Sequence, residues 1–181
     1  MGIDNIYLIY WQEMKEKMLI YPNEYFDKID EITIEFLQKN KIKALILDMD
    51  NTLITINEQM PQNIECWAKE LKGQGVKLII VSNSNKKSKL DNTANKIGVR
   101  YVKFAKKPLK CGLKKAMKIL GEKPENIAVV GDQIFTDIIG GNRCKMKTIL
   151  IDSLEKKDFW YTAWKRPIED NIKRKIAKEK E

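Results

Sequence analysis

The chain has 181 residues, 43% hydrophobic and 33% charged, which suits one soluble domain with a real core and excludes a disordered chain. Its 34 Lys and Arg against 25 Asp and Glu give a formal charge of +9, a balance that favours anionic partners such as phosphates, nucleic acid or an acidic membrane surface. There is no histidine, which excludes Ser-His-Asp and Cys-His catalysis and most zinc sites.

In chain order, the first pattern is Ile3, Ile6, Tyr7, Tyr10, Trp11, Met14 and Met18 at near-helical spacing. It suits an amphipathic helix, either at a membrane interface or docked on the core. The run 44–48 is short, continuous and apolar and ends in Asp48, as a strand buried on both faces does. The same shape returns at 77–82, ending in Ser82, at 127–132, ending in Asp132, and at 147–152, with a further candidate at 99–104. Between the runs, Ile64, Trp67, Ala68 and Leu71 recur at helical spacing before Gly73 and Gly75. Leu90, Ala94 and Ile97 precede Gly98, and Leu113, Ala116, Met117 and Leu120 precede Gly121. Strands alternating with helices predict an α/β fold with a doubly wound parallel sheet. The C-terminal stretch carries Phe159, Trp160, Tyr161 and Trp164, then a basic tail.

Ligands of such sheets sit outside the carboxyl ends of the strands, where Asp48, Ser82 and Asp132 fall. Asp48-Met49-Asp50-Asn51-Thr52-Leu53 sets two carboxylates two residues apart, which suits a hard cation or a capped turn. Ser82-Asn83-Ser84 offers donors for a phosphate oxygen, or a helix cap. In Ala105-Lys106-Lys107-Pro108, proline biases Lys107 toward an extended backbone that can present a fixed positive charge. Gly131-Asp132-Gln133-Ile134-Phe135-Thr136-Asp137 supplies a second acidic pair at the opening of a helix.

Together and in this order, the four motifs resemble those of the haloacid dehalogenase (HAD) superfamily of aspartate-nucleophile phosphotransferases, over residues 42–152. The stretches 43–53, 105–109 and 130–143, with Tyr21-Pro22-Asn23-Glu24-Tyr25, resemble the YqeG-type branch of HAD subclass IIIA. Its best-defined members are phosphatidylglycerophosphate phosphatases of mitochondria and plastids. The resemblance implies a HAD-like Rossmannoid core over 42–152, flanked by an N-terminal helical extension over 1–41 and a C-terminal extension over 153–181. It implies Asp48 as nucleophile, Asp50 as general acid and base, and Lys107 as the catalytic cation. Ser82 and Asn83 would bind substrate. Mg²⁺ would be held by Asp48, Asp50 through its backbone carbonyl and Asp132, with Asp137 assisting directly or through water. The intervals between the motifs leave no room for a separate cap domain, so the crevice is open enough for a large substrate.

The expected activity is Mg²⁺-dependent hydrolysis of a phosphomonoester, with phosphatidylglycerophosphate as substrate. A protein, nucleotide or sugar phosphate is the alternative, and an RNA- or ribosome-binding module on the same scaffold is the third reading. Residues 100–118 carry eight bases and no acid beside Lys107. The resemblance implies an anionic lipid head group as substrate, and this stretch, with the open crevice and the aromatic–basic termini, predicts peripheral contact with an anionic membrane. Nucleic acid is disfavoured, because the intact acidic set repels a polynucleotide. Cys66, Cys111 and Cys144 show no bridging or metal spacing. With no run approaching a membrane span and no signal-peptide pattern, the expected location is cytoplasmic, at most peripheral on the inner face of the membrane.

Overall fold

The computed structural model describes residues 19–155, so the N-terminal pattern over 3–18 and the C-terminal aromatics lie outside the described residues. The four apolar runs form β2 (Ala44–Leu47), β3 (Lys77–Val81), β5 (Ile127–Gly131) and β6 (Lys147–Ile151). With β1 (Glu24–Phe26) and β4 (Arg100–Val102) they make one parallel six-stranded sheet in the order β1-β6-β5-β2-β3-β4. Ala44 is in register with both Lys77 of β3 and Ile127 of β5.

Because successive side chains point to opposite faces, each run feeds two cores. On one face Leu45, Leu47, Ile80 and Val130 pack with Ile64, Trp67 and Leu71 of α2 (Gln62–Gly73) and with Leu90 and Ile97 of α3 (Lys87–Ile97). On the other, Ala44, Ile46, Ile79 and Val129 pack with Leu113, Ala116 and Leu120 of α4 (Lys110–Leu120). Burial on both sides is why the runs read as continuous rather than alternating.

α3 ends at Gly98 (φ 61°) and α4 at Gly121 (φ 66°), both left-handed. Gly73 behaves differently from the expectation: α2 runs through it and is capped by Gln74, and Gly75 takes the left-handed turn at φ 85°. The expected strand over 99–104 shortens to Arg100–Val102, because Phe104 turns out of the sheet at φ 49°.

The sheet also reaches back across the expected boundary at residue 42. β1 pairs with β6 (Tyr25 opposite Leu150), and Asn23 locks that edge by accepting from Thr148 N at 2.8 Å and donating its own N–H to Thr148 O at 2.9 Å. α1 (Ile34–Lys39) follows, with Thr33 Oγ1 accepting from Phe36 N at 3.2 Å as its cap.

After β4 the chain returns through α4 to β5, on the other side of β2, so strand order reverses between β2 and β5. That reversal opens a crevice at the carboxyl ends of these strands. Between residues 53 and 82 lie only a turn, α2 and β3, and between 83 and 107 only α3 and β4, which leaves no separate cap domain. No helix among the described residues is long and apolar enough to cross a membrane.

Candidate active site

Asp48 is the first residue past β2 and continues its ladder, donating its N–H to Val130 O at 2.9 Å. The chain then turns sharply, with Leu53 N and Ile54 N both donating to Met49 O and Asn51 left-handed at φ 63°. The Asn51 side chain binds both backbone groups of Glu155, donating at 2.9 Å and accepting at 3.1 Å. This latch ties the Asp48 loop to the segment after β6.

Asp132 follows β5 in the same way. Its Oδ1 accepts from Thr52 Oγ1 at 3.3 Å and its Oδ2 from Ser153 Oγ at 2.8 Å. Asp137 does not sit in a regular α-helix. A π-turn over Ile134–Ile138 precedes α5 (Ile139–Arg143), and its wider loop lets Asp137 Oδ2 accept from Gln133 N at 3.2 Å. The side chains of Asp48, Asp132 and Asp137 are buried, and one oxygen of each lies within 4.8 Å of the others.

Lys107 enters this cluster from the loop before α4. Its Nζ donates to Asp48 Oδ1 at 2.5 Å and to Asp137 Oδ1 at 2.7 Å, and the side chain is 3% exposed. Asn83 holds the Lys107 peptide from both ends: its Oδ1 accepts from Lys107 N at 2.7 Å and its Nδ2 donates to Lys107 O at 3.0 Å. The Asn83 amide is thus directed at the lysine backbone rather than at the crevice.

Ser82 is buried at the end of β3, and its Oγ donates to Asp50 Oδ2 at 3.4 Å and accepts from Ser84 N at 3.0 Å. The Asp50 side chain is 45% exposed and stands apart from the buried acids. Lys89 of α3, largely buried, reaches Asp50 Oδ1 at 2.6 Å and Glu58 Oε1 at 3.8 Å. The structure therefore brings most of the residues the motifs single out together in two groups, with Asn83 turned to the Lys107 backbone instead. Asp48, Lys107, Asp132 and Asp137 form the buried group, and Asp50 with Ser82 forms its outer side. Lys89 and Ser153 join the site with no motif to announce them, and Thr52, from the Asp48 motif, joins it through Asp132.

Burial dominates the electrostatics. It pushes the Asp48 carboxyl up to about 8 against the attraction of Lys107, with Asp137 and Asp132 adding to the rise. Burial, then Asp137, pushes Asp132 up to about 6 against the Ser153 hydrogen bond. Burial alone would lower the Lys107 ammonium, but Asp137 and Asp48 outweigh it and hold it above the usual lysine range. One ammonium faces three buried carboxylates. A divalent cation with oxygen ligands would supply the missing charge, and the all-carboxylate donor set fits such an ion.

A parallel sheet with this switch point, no cap domain and an acidic set opposite a buried lysine is the arrangement of a HAD-type phosphatase. More narrowly, the chain belongs to the mitochondrial PGP phosphatase family, whose model matches residues 6–155. It is 34% identical over 158 residues to "Probable phosphatase YqeG" of Bacillus subtilis (strain 168), covering 86% of this chain and 91% of that protein. It is 24% identical over 161 residues to phosphatidylglycerophosphate phosphatase 1, chloroplastic/mitochondrial, of Arabidopsis thaliana, covering 80% of this chain and 44% of that protein. Among solved structures, an uncharacterized protein from Listeria monocytogenes serotype 4b shares the fold with a TM-score of 0.53 at 18% identity, over 65% of this chain and 85% of that one.

Proposed function

We propose that this chain is a Mg²⁺-dependent phosphomonoesterase that converts phosphatidylglycerophosphate to phosphatidylglycerol through an aspartyl-phosphate on Asp48. The observation that carries the reading is the buried contact of Lys107 with Asp48 and Asp137, with Asp132 in the same cluster. Family membership and the Arabidopsis relative support the lipid substrate. So does the lack of a cap domain among the described residues, because an open crevice admits a head group still embedded in a bilayer.

In this reading an Asp48 carboxylate oxygen attacks phosphorus, and the bond from phosphorus to the glycerol oxygen breaks. Asp50 gives its proton to the departing alcohol. It then takes a proton from water as that water attacks the phosphorus, which releases Asp48 and inorganic phosphate. Lys107 fixes the orientation of Asp48 and neutralises charge beside it. Ser82 Oγ donates to a phosphoryl oxygen. Asp48, Asp132, Asp137 and the Asp50 backbone carbonyl would hold the Mg²⁺, which when bound favours ionised Asp48 and offsets charge on the transferring phosphoryl group. The enzyme works at the cytoplasmic face of the membrane as a peripheral protein.

The test is phosphate release from phosphatidylglycerophosphate in mixed micelles with Mg²⁺, beside a panel of soluble phosphomonoesters. Hydrolysis of the lipid above the panel is expected. Hydrolysis of soluble esters without the lipid overturns the substrate. Full activity in excess chelator overturns the metal.

A further inference from the structure

Among the described residues, the exposed large hydrophobic side chains are Phe104 (56%), Leu109 (50%) and Leu154 (36%). Two of the three lie in the loop that delivers Lys107. In this loop the buried and exposed positions are sorted sharply: Ala105 and Lys107 face in, while Lys103, Phe104, Lys106, Leu109 and Lys110 face out.

The backbone enforces that sorting. Phe104 and Lys106 both have left-handed φ, 49° and 55°, which a bulky residue such as Phe adopts only when its surroundings fix it there. Phe104 N donates to Ser84 O at 3.1 Å and Ala105 N to Ser82 O at 3.0 Å, so the loop is pinned to the end of β3. Ala105 packs into the space left by Gly112, where a Cβ would lie 2.5 Å from the Ala105 Cβ. Phe104 is thus held outward in water on a rigid base, with Lys106 Nζ 5.0 Å from its ring centre. Exposure of apolar surface and backbone strain at one residue, beside the phosphate-handling lysine, point to a partner that removes the ring from water.

Charge identifies the partner. Lys103, Lys106 and Lys110 flank the two apolar side chains, and residues 92–121 contain no acid. A polynucleotide would gain from stacking on Phe104 but has no use for aliphatic Leu109, whereas an anionic bilayer accepts both apolar side chains and the flanking ammonium groups.

We propose that residues 103–110 seat the enzyme on an anionic bilayer, with Phe104 and Leu109 entering the acyl boundary and Lys103, Lys106 and Lys110 meeting the head groups. The inference rests on the lipid-phosphatase reading and deepens it, since the same loop brings Lys107 to the head-group level. The test uses the full chain and sedimentation with phosphatidylglycerol/phosphatidylcholine vesicles against phosphatidylcholine alone. Phe104→Asn, which tolerates the left-handed backbone, is combined with Leu109→Gln. Wild type binds the anionic vesicles, the double variant partitions about a hundredfold less, taking about tenfold per side chain, and Phe104→Trp retains binding.

A double variant that sediments like wild type, or a wild type that ignores anionic vesicles, overturns the loop's role. So does a double variant that loses single-stranded RNA binding and keeps vesicle binding. Hydrolysis of p-nitrophenyl phosphate is read in the same preparations and is unchanged in the double variant. A wild type inactive on that ester strikes the phosphatase reading instead, and leaves the vesicle result to decide the loop.

Discussion

The Asp137 carboxylate lies against the bare Cα of Gly131: a Cβ at residue 131 would sit 2.3 Å from Asp137 Oδ2. The last residue of β5 must lack a side chain for Asp137 to reach Lys107 at 2.7 Å. Gly131→Ala therefore drives Asp137 out of place and loosens its hold on Lys107. The expected result is a folded protein whose metal affinity falls about 10- to 100-fold, the usual effect of disturbing a metal site's supports. Isothermal titration with Mg²⁺ checks it. Unchanged affinity would show that Asp137 has room to move aside.

Asp48 and Asp132 set a pH dependence on the metal-free fold. Burial raises their carboxyls to about 8 and about 6, above the unfolded value of about 4. The folded state then binds protons more tightly than the unfolded chain. This contribution to stability is present below about pH 4 and is lost as pH rises through about 6 and then about 8. In chelator, Tm should fall over that range more steeply for wild type than for Asp48→Asn, which has no carboxyl to titrate there. Saturating Mg²⁺ should remove the difference. Parallel Tm profiles for the two proteins in chelator would count against a strained acidic cluster.

The parts of this architecture visible in the sequence were those written locally. The runs ending in Asp48, Ser82 and Asp132 place three candidate site residues at strand ends because an apolar run buried on both faces is a strong local signal. Gly98 and Gly121 mark helix ends because glycine takes the left-handed closing conformation at no steric cost. β1 was not legible: three half-buried residues have no period, and their place depends on Asn23 finding Thr148, 125 positions away. The π-turn holding Asp137 breaks the 3.6-residue spacing on which helix reading relies. Lys89 and Ser153 carry no motif at all. They reach Asp50 and Asp132 only because α3 and the segment after β6 pack at the same end of the sheet.

Asn83, expected to bind substrate, makes its side-chain hydrogen bonds to the Lys107 backbone. That grip on both backbone groups makes Asn83 a positioning residue for Lys107. Asn83→Ala releases that grip and lets Nζ wander from Asp48. The expected effect is a kcat lower by about tenfold with KM within about twofold, because small displacements at the reacting centre cost rate before binding. A raised KM with unchanged kcat would place the Asn83 amide on the substrate instead.

Asp50 and Lys89 provide the sharpest separation between chemistry and metal binding. The Asp50 side chain points away from the buried acids, toward Ser82 and Lys89. Removing its carboxylate should leave the Asp48, Asp132 and Asp137 cluster intact. Asp50→Asn is therefore expected to lower turnover by about 10²- to 10⁴-fold, the range of a lost general acid and base, while Mg²⁺ affinity stays at the wild-type value. Lys89→Met tests the tether alone. The carboxylate remains, but it loses its 2.6 Å partner and swings more freely over the crevice mouth. A kcat drop of about tenfold with unaltered KM is expected from that looser placement. Single-turnover measurements on both variants locate the defect. If Asp50→Asn forms and hydrolyses the phosphoenzyme at wild-type rates, the proton passes by another route and Asp50 serves only to hold Lys89 and Ser82 in place.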